Sequence, residues 1–238
     1  MSLINPYGLA NDLDRLEEIE KASLRLVVQT LYEYRDIAAD IFRLESDLVA
    51  DIAEDVSREA LDRLGMSRID QRLFGKVDYK RARYLFHPEY TIKQALFVDS
   101  KAEKISDENS ATLQTSQLSL TVRQIRAGRP INEPGKLPSV LSIKDEPYIT
   151  TTLFVKYNYE DEGVHHLLRH ITVAALPNGM LQERYNPDVN DTIWLAGRDA
   201  PSRGEEFRVR LSFARLRRKA PWRVQRIPMS PEPFIWNE

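Results

Sequence analysis

The stretch ALFVDSKAEK, residues 95–104, begins as an apolar strand and ends in dense charge. In a β-strand, residues two apart project to the same face, so Asp99 and Lys101 would point together while Ser100 points away. Because burial of an unpaired charge is costly, a buried strand that ends in this way needs a partner for its charges. A divalent cation is one partner that would satisfy the carboxylate.

A second carboxylate would complete such a site. Asp78 lies in the preceding strand-like segment, KVDYKRARY, and would sit beside Asp99 if the two segments pair. Two carboxylates and the Ser100 backbone carbonyl would form an open, oxygen-lined site suited to Mg²⁺. Lys101 could then orient or deprotonate a water, or stabilise charge on a phosphate. This is the chemistry of a phosphodiester nuclease, although the same Asp-x-Lys spacing is also typical of a surface ion pair at a strand end.

The composition limits the class of protein. The chain has 238 residues, a length that fits one large domain or two small ones. Of these residues 42% are hydrophobic and 29% charged, as expected of a globular protein with a buried core. The absence of cysteine excludes disulfides, thiol nucleophiles and cysteine-ligated zinc. Because no apolar run approaches the length of a membrane helix and no signal pattern precedes the first helix, we expect a cytoplasmic protein without a membrane partner.

Charge is distributed unevenly along the chain. Residues 1–65 hold 15 acidic and 7 basic residues, a net charge of −8, whereas residues 201–227 hold 9 basic and 2 acidic residues, a net charge of +7. This asymmetry predicts an acidic, solvated helical part and a basic surface near the C-terminus. A basic surface is compatible with nucleic-acid binding, although an ordinary solvated face has the same composition.

Hydrophobic periodicity predicts helices first and a mixed sheet afterwards, and therefore one α/β domain. Apolar residues at helical spacing predict helices over 12–34 and 36–64, the first capped by Asp12 and the second ended by Gly65. The remaining predictions are strands over 73–84, 94–100, 150–159, 171–176 and 207–213, a helix over 112–125, a loop over 128–145 and a surface turn, without a metal, at HHLLRH 165–170.

The strand over 207–213 alternates between apolar residues on one face and Arg208 and Arg210 on the other. The planar guanidinium fork matches the O6 and N7 acceptors of guanine in the major groove. Two such forks two residues apart could address neighbouring bases. Two solvated arginines would give the same pattern.

Several segments carry a resemblance to a known family. They are VDYKRARY 77–84, LFVDSKAE 96–103, TLQTSQL 112–118, QERYNPD 182–188, SRGEEFRVRLSFARL 202–216 and APWRVQ 220–225. In this order and spacing they resemble the SfiI-like type II restriction endonucleases, which belong with BglI to the PD-(D/E)xK nucleases. The resemblance implies one restriction-endonuclease-like domain over 1–238, with a central mixed β-sheet flanked by helices. The N-terminal helical pair over 1–65 is a candidate for subunit contact, because its acidic helices would bind DNA poorly, and residues 70–227 would form the catalytic and DNA-reading core.

The resemblance also assigns the catalytic site. It implies that Asp78, Asp99 and Lys101 are the catalytic trio. It implies that Mg²⁺, for which Mn²⁺ would substitute, is held by both carboxylates and the Ser100 carbonyl. Val77 stands where the general signature has proline, a departure shared with SfiI-like chains. Glu54 in DIAEDVS and Glu103 are further candidates, and a solvated carboxylate is the alternative for Glu54.

Substrate and assembly follow from the same resemblance. It implies that Arg208 and Arg210 read G·C pairs. The match of Gln114 and Ser116 to the family suggests DNA contact, although capping and core-edge hydrogen bonds explain these residues equally well. Arg203, at the entrance to the arginine strand, would hold a phosphate or stay in solvent. The expected activity is Mg²⁺-dependent hydrolysis of double-stranded DNA at an interrupted palindrome, leaving a 5′ phosphate and a 3′ hydroxyl, by a homodimer or homotetramer in a prokaryotic cytoplasm. The alternatives are a repair or junction-cleaving nuclease of the same fold and a catalytically inactive DNA-binding module.

Overall fold

The computed structural model describes residues 3–45, 49–65, 81–87, 89–105, 109–163, 165–195 and 208–238. The helices are α1 (Leu13–Leu44), α2 (Val49–Asp62), α3 (Gln182–Tyr185) and α4 (Phe213–Lys219). The strands are β1 (Arg81–His87), β2 (Ile92–Lys104), β3 (Ser110–Gln114), β4 (Val122–Arg126), β5 (Arg129–Glu133), β6 (Val140–Ile143), β7 (Glu146–Asp161), β8 (His166–Leu176), β9 (Trp194–Leu195), β10 (Arg208–Ser212) and β11 (Val224–Pro228). None of these helices is long and apolar enough to cross a membrane.

The main sheet has the order β1-β2-β7-β8-β11, and β6 also pairs with β7. Strands β2 and β7 run parallel, whereas the other pairings in this sheet are antiparallel. A second, smaller sheet has the order β3-β10-β9, and β4 and β5 form a hairpin. The predicted α/β fold with a central mixed sheet and flanking helices is therefore confirmed.

Helix α1 packs along the main sheet, chiefly against β8. The Asp12 side chain accepts a hydrogen bond from the Arg15 backbone N–H and caps the first turn as predicted. The predicted helix boundary near residue 35 is wrong, because α1 runs on to Leu44. Its buried stripe passes through Tyr34, Ala38 and Phe42 without a helix-breaking residue.

Residues 112–145 differ most from the sequence predictions. The predicted helix over 112–125 is instead β3, one turn of 3₁₀ helix and β4, and the predicted loop over 128–145 contains β5 and β6. Ala127 and Gly128 connect β4 to β5 with φ values of 48° and 75°. Positive φ at both central residues is the geometry of a type I′ turn, which closes a two-residue hairpin. These strands form because they pair with other strands. The spacing of apolar residues, which predicted a helix, carries no information about such pairing.

Residues 166–170 of the histidine segment lie in strand β8 and not in a surface turn, so that prediction is wrong. His170 is buried, with 2% of its surface exposed, and the Arg226 Nη2 atom on β11 donates to its Nδ1 at 3.2 Å. Burial, together with the charges of Arg226 and Lys156, lowers the pKa of the His170 imidazole to about 4. The ring is therefore neutral near pH 7 and accepts the arginine hydrogen bond.

A buried charge pair attaches α1 to the start of β11. Arg223 is fully buried, and its Nη2 atom lies 2.7 Å from Glu20 Oε2 and 3.1 Å from Glu17 Oε1. The guanidinium lies 4.3 Å from each of the Tyr185 and Trp222 ring centroids. Burial raises the pKa of the Glu20 carboxyl, and the Arg223 charge opposes that rise. The arrangement supplies partners for charges that would otherwise be costly to bury.

Candidate active site

Strand β2 brings the Asp-x-Lys pair to a cleft between the two sheets. Asp99 and Ser100 are each 8% exposed, and Asp99 pairs with Phe154 of the parallel strand β7. The cleft has a volume of about 490 Å³. It is lined by Ala50, Glu54, Asp99, Ser100, Lys101, Ala102, Glu103, Thr112, Gln114, Gln117 and Arg208. Candidate catalytic and DNA-reading side chains therefore share one cleft.

Asp99 and Lys101 meet on the same strand face, as the period of two requires. The Lys101 Nζ atom lies 4.0 Å from Asp99 Oδ2 and donates a hydrogen bond to the Thr112 backbone carbonyl on β3. The lysine side chain is one-third exposed and the aspartate side chain one-tenth exposed. The ammonium is thus held beside the carboxylate and still faces the cleft.

Ser100 points to the opposite side of β2 and fixes helix α2 there. Its hydroxyl donates to Ser57 Oγ at 2.6 Å, and Ser57 Oγ lies 2.8 Å from the Tyr157 hydroxyl. Burial raises the pKa of the Tyr157 phenol, which stays protonated. Glu54 precedes Ser57 by one turn of α2 and lines the cleft. These hydrogen bonds therefore set where the Glu54 carboxylate lies relative to β2.

Glu103 pairs with a lysine that the sequence analysis did not single out. Lys156, on β7, is fully buried, and its Nζ atom lies 2.6 Å from Glu103 Oε2 and donates to the Ser110 carbonyl at 2.8 Å. A buried ammonium requires such partners, so the pair fixes the Glu103 carboxylate. The available signal was a lone lysine inside the apolar strand segment TTLFVKYNY, 151–159.

The arginine strand is β10, and it faces the cleft through its partner β3. Arg208 pairs with Gln114 and Arg210 pairs with Thr112 across this antiparallel ladder. Arg208 lines the cleft, and the Arg210 Nη2 atom donates to Ser110 Oγ at 2.7 Å. Both predicted guanine readers therefore lie on β10, next to β3, whose Thr112 carbonyl accepts the hydrogen bond from Lys101.

The other predicted DNA contacts are placed in part. Gln114 lines the cleft, and its backbone N–H donates to Gln117 Oε1 at 2.7 Å. Ser116 lies in the single 3₁₀ turn Thr115–Gln117 that follows β3. Asp78 and Arg203 lie outside the described residues.

The chemistry of the donor set decides whether a divalent metal fits. Within the described ranges, no three acidic, histidine or cysteine side chains are grouped as a metal site. Asp99, Ser100 and Glu54 nevertheless line the same cleft, and each carries oxygen atoms. Mg²⁺ prefers oxygen and commonly takes only one or two protein carboxylates while it keeps several waters. The residues present therefore fit Mg²⁺.

Known proteins resemble this chain over nearly its whole length. A family model described as "Type II restriction enzyme SfiI" matches residues 28–227. The type II restriction enzyme SfiI of Streptomyces fimbriatus is 37% identical over 235 residues, an alignment that covers 92% of this chain and 87% of that protein.

Two solved structures share the fold. Tetrameric restriction endonuclease SfiI bound to cognate DNA superposes with a TM-score of 0.80 at 33% identity, covering 93% of this chain and 87% of that one. Restriction endonuclease BglI bound to its DNA recognition sequence superposes with a TM-score of 0.75, covering 94% of each chain. At 17% identity, the second likeness concerns the fold alone.

Proposed function

The chain belongs to the SfiI family of type II restriction enzymes, and from this membership we propose that it cuts double-stranded DNA, with Mg²⁺, at an interrupted palindrome that contains G·C pairs. One observation carries the proposal: Asp99, Lys101 and Arg208 line a single cleft. A site-specific nuclease needs its hydrolytic groups and its base-reading groups at fixed positions relative to one another. The shared cleft supports these roles, with Asp99 and Lys101 as the proposed hydrolytic groups and Arg208 as a proposed base reader.

Asp78, Asp99 and the Ser100 carbonyl would hold the metal, and Glu54 would add an oxygen from α2. When bound, Mg²⁺ would supply Lewis-acid stabilisation of negative charge on the scissile phosphate. The chain itself supplies the orientation of these donors, because β2 fixes Asp99 and the hydrogen bond from Ser100 to Ser57 fixes α2. Mn²⁺ would substitute, since it accepts the same oxygen donors.

Lys101 would act on both the attacking water and the phosphate. Its ammonium is held between Asp99 and the Thr112 carbonyl and faces the cleft. There it would orient the attacking water and donate to a phosphate oxygen as negative charge develops. The new bond joins the water oxygen to phosphorus, and the bond to the 3′ oxygen breaks. The attacking water loses one proton to the solvent and the departing 3′ oxygen takes up one proton from the solvent, so the products are a 5′ phosphate and a 3′ hydroxyl.

Base reading is proposed for Arg208 and Arg210, whose forks would donate to guanine O6 and N7. Arg203, Gln114 and Ser116 would contact phosphates or base edges beside them. Phosphate contacts position the protein but carry no sequence information, so specificity would rest on the two strand arginines and on any base-edge contact made beside them.

The active unit is proposed to be a homodimer or homotetramer on duplex DNA. One chain carries one site, whereas a duplex has two strands to cut, so a two-fold dimer on a palindrome is the minimum. The related SfiI structure is tetrameric. Helices α1 and α2 are proposed to make the subunit contacts, and α1 exposes Ile37 and Leu44. Light scattering of the purified protein, with and without DNA, measures the assembly directly.

The proposed function is tested by a digest of a sequenced phage genome. The wild-type protein and an Asp99→Asn variant are each incubated with Mg²⁺ or with EDTA, and the DNA ends are sequenced. Discrete fragments from the wild type with Mg²⁺ alone would support the proposal and reveal the site, spacer and overhang. Unspecific degradation would favour a repair-type nuclease, and intact DNA in every lane would favour a binding module.

A further inference from the structure

One strand, β3, joins the two sheets that meet at the cleft. On one side it pairs with β10, the strand of Arg208 and Arg210. On the other side its backbone carbonyls accept hydrogen bonds from lysines of the main sheet. The Lys101 Nζ atom donates to the Thr112 carbonyl, and the Lys156 Nζ atom donates to the Ser110 carbonyl at 2.8 Å. A displacement of β3 would therefore move groups in both sheets.

Ser110 is the residue at which these two sets of contacts coincide. It is 3% exposed and opens β3. Its hydroxyl oxygen accepts from the Arg210 Nη2 atom at 2.7 Å, while its backbone carbonyl accepts from Lys156. A guanidinium carries five donors in one plane, and a hydrogen bond at one nitrogen restrains the orientation of that plane.

We propose that Ser110 is a positioning residue for DNA reading, which holds the Arg210 guanidinium in the orientation that its base requires and ties that orientation to Lys101 through β3. The proposal rests on the proposed function, because it takes Arg210 as a base reader. A fork held in place before DNA binds loses less conformational entropy on binding, so the correct base is favoured. A wrong base leaves the fork without its base acceptors, so that contact is lost.

The test separates positioning from general stability. Ser110→Ala removes the hydroxyl but keeps the carbonyl that accepts from Lys156, and Ser110→Thr restores a hydroxyl. Ser142→Ala, at an exposed position of β6, is the matched control. Single-turnover cleavage rates are measured on the cognate site and on sites with one substituted base pair. The ratio is compared at the base pair for which Arg210→Ala loses the preference for the cognate base.

We expect Ser110→Ala to reduce the ratio of cognate to substituted cleavage rates about tenfold, the typical effect of losing a hydrogen bond to a charged group. Ser110→Thr should recover most of that ratio, and Ser142→Ala should leave it unchanged. If Ser110→Ala unfolds, Ser110→Cys takes its place, since a thiol nearly keeps the size of the side chain but is only a weak hydrogen-bond acceptor. Ser110→Cys should then lower the ratio by a similar factor.

Two results would overturn the inference, and they are distinguishable. If Arg210→Ala loses preference but Ser110→Ala keeps it, or if the effects of the two substitutions multiply independently in the double variant, Ser110 does not position Arg210, and the proposed function stands. If Arg210→Ala keeps the wild-type preference at every base pair, Arg210 is not a base reader, and both the Ser110 inference and that part of the proposed function fail.

Discussion

Replacement of Lys101 by methionine tests whether its charge acts on the reaction. The Lys101 ammonium lies 4.0 Å from the Asp99 carboxylate. Two unit charges at that distance, with an effective dielectric constant of about 20, interact by about 4 kcal/mol. A phosphate that binds beside Asp99 and gains charge at a comparable distance would be stabilised to a similar extent. Since about 1.4 kcal/mol corresponds to a factor of ten in rate, we expect Lys101→Met to slow cleavage about 10³-fold.

The assay is single-turnover cleavage at saturating enzyme, together with the dissociation constant measured in Ca²⁺. We expect the rate to fall and the affinity for the cognate site to change by less than about threefold, because the lost interaction belongs mainly to the transition state. Lys104→Met is the matched control. Lys104 ends the same strand, is 61% exposed and pairs with Asp161 at 2.9 Å. Its replacement should leave the cleavage rate unchanged.

Two outcomes would contradict a role for the Lys101 charge in cleavage. A Lys101→Met variant that cleaves within about tenfold of the wild-type rate at saturation would show that its charge does not act on the phosphate. An equal loss in Lys104→Met would assign the effect to the overall charge of the strand end and not to the position of Lys101.

Three further predictions concern other regions. Arg208→Ala should lose about 1–3 kcal/mol of discrimination at one base pair, measured as relative affinity for substituted sites, and unchanged site preference would remove its assignment. Glu20→Gln leaves the fully buried Arg223 without its nearest charge and should lower the urea-measured free energy of unfolding by about 3 kcal/mol, whereas Asp40→Asn, in an exposed arginine pair, should cost less than about 0.5 kcal/mol. The pKa of His170 is lowered to about 4 in the folded state, so the unfolded chain binds the additional proton and stability should fall by about 3 kcal/mol between pH 6.5 and pH 4. A His170→Gln variant should lack that slope, and an unchanged slope would contradict the assignment.

Local sequence patterns predicted an element correctly where its formation depends on residues close together in the chain. Asp12 caps α1 because its side chain bonds within the first turn, and the apolar run before Asp99 predicts β2 because buried strands are continuously apolar. The spacing of Asp99 and Lys101 also predicts that they share a strand face, since that depends only on the period of two. By contrast, the boundary between α1 and α2 and the strands β3 to β6 were predicted wrongly. Their formation depends on pairing and packing with distant segments.

Residue patterns alone predict the α/β class and the strand that carries Asp99 and Lys101, and the resemblance to a known family adds the interpretation of that strand as part of a nuclease site. Three contacts emerge only in the folded chain: Lys101 donates to a carbonyl of β3, Lys156 pairs with Glu103, and Ser110 accepts from Arg210. The physical reason is the separation of these partners along the chain. A strand alternation or a helical stripe records which face of a segment is buried, whereas hydrogen bonds between residues 46 and 100 positions apart exist only after the two sheets have come together.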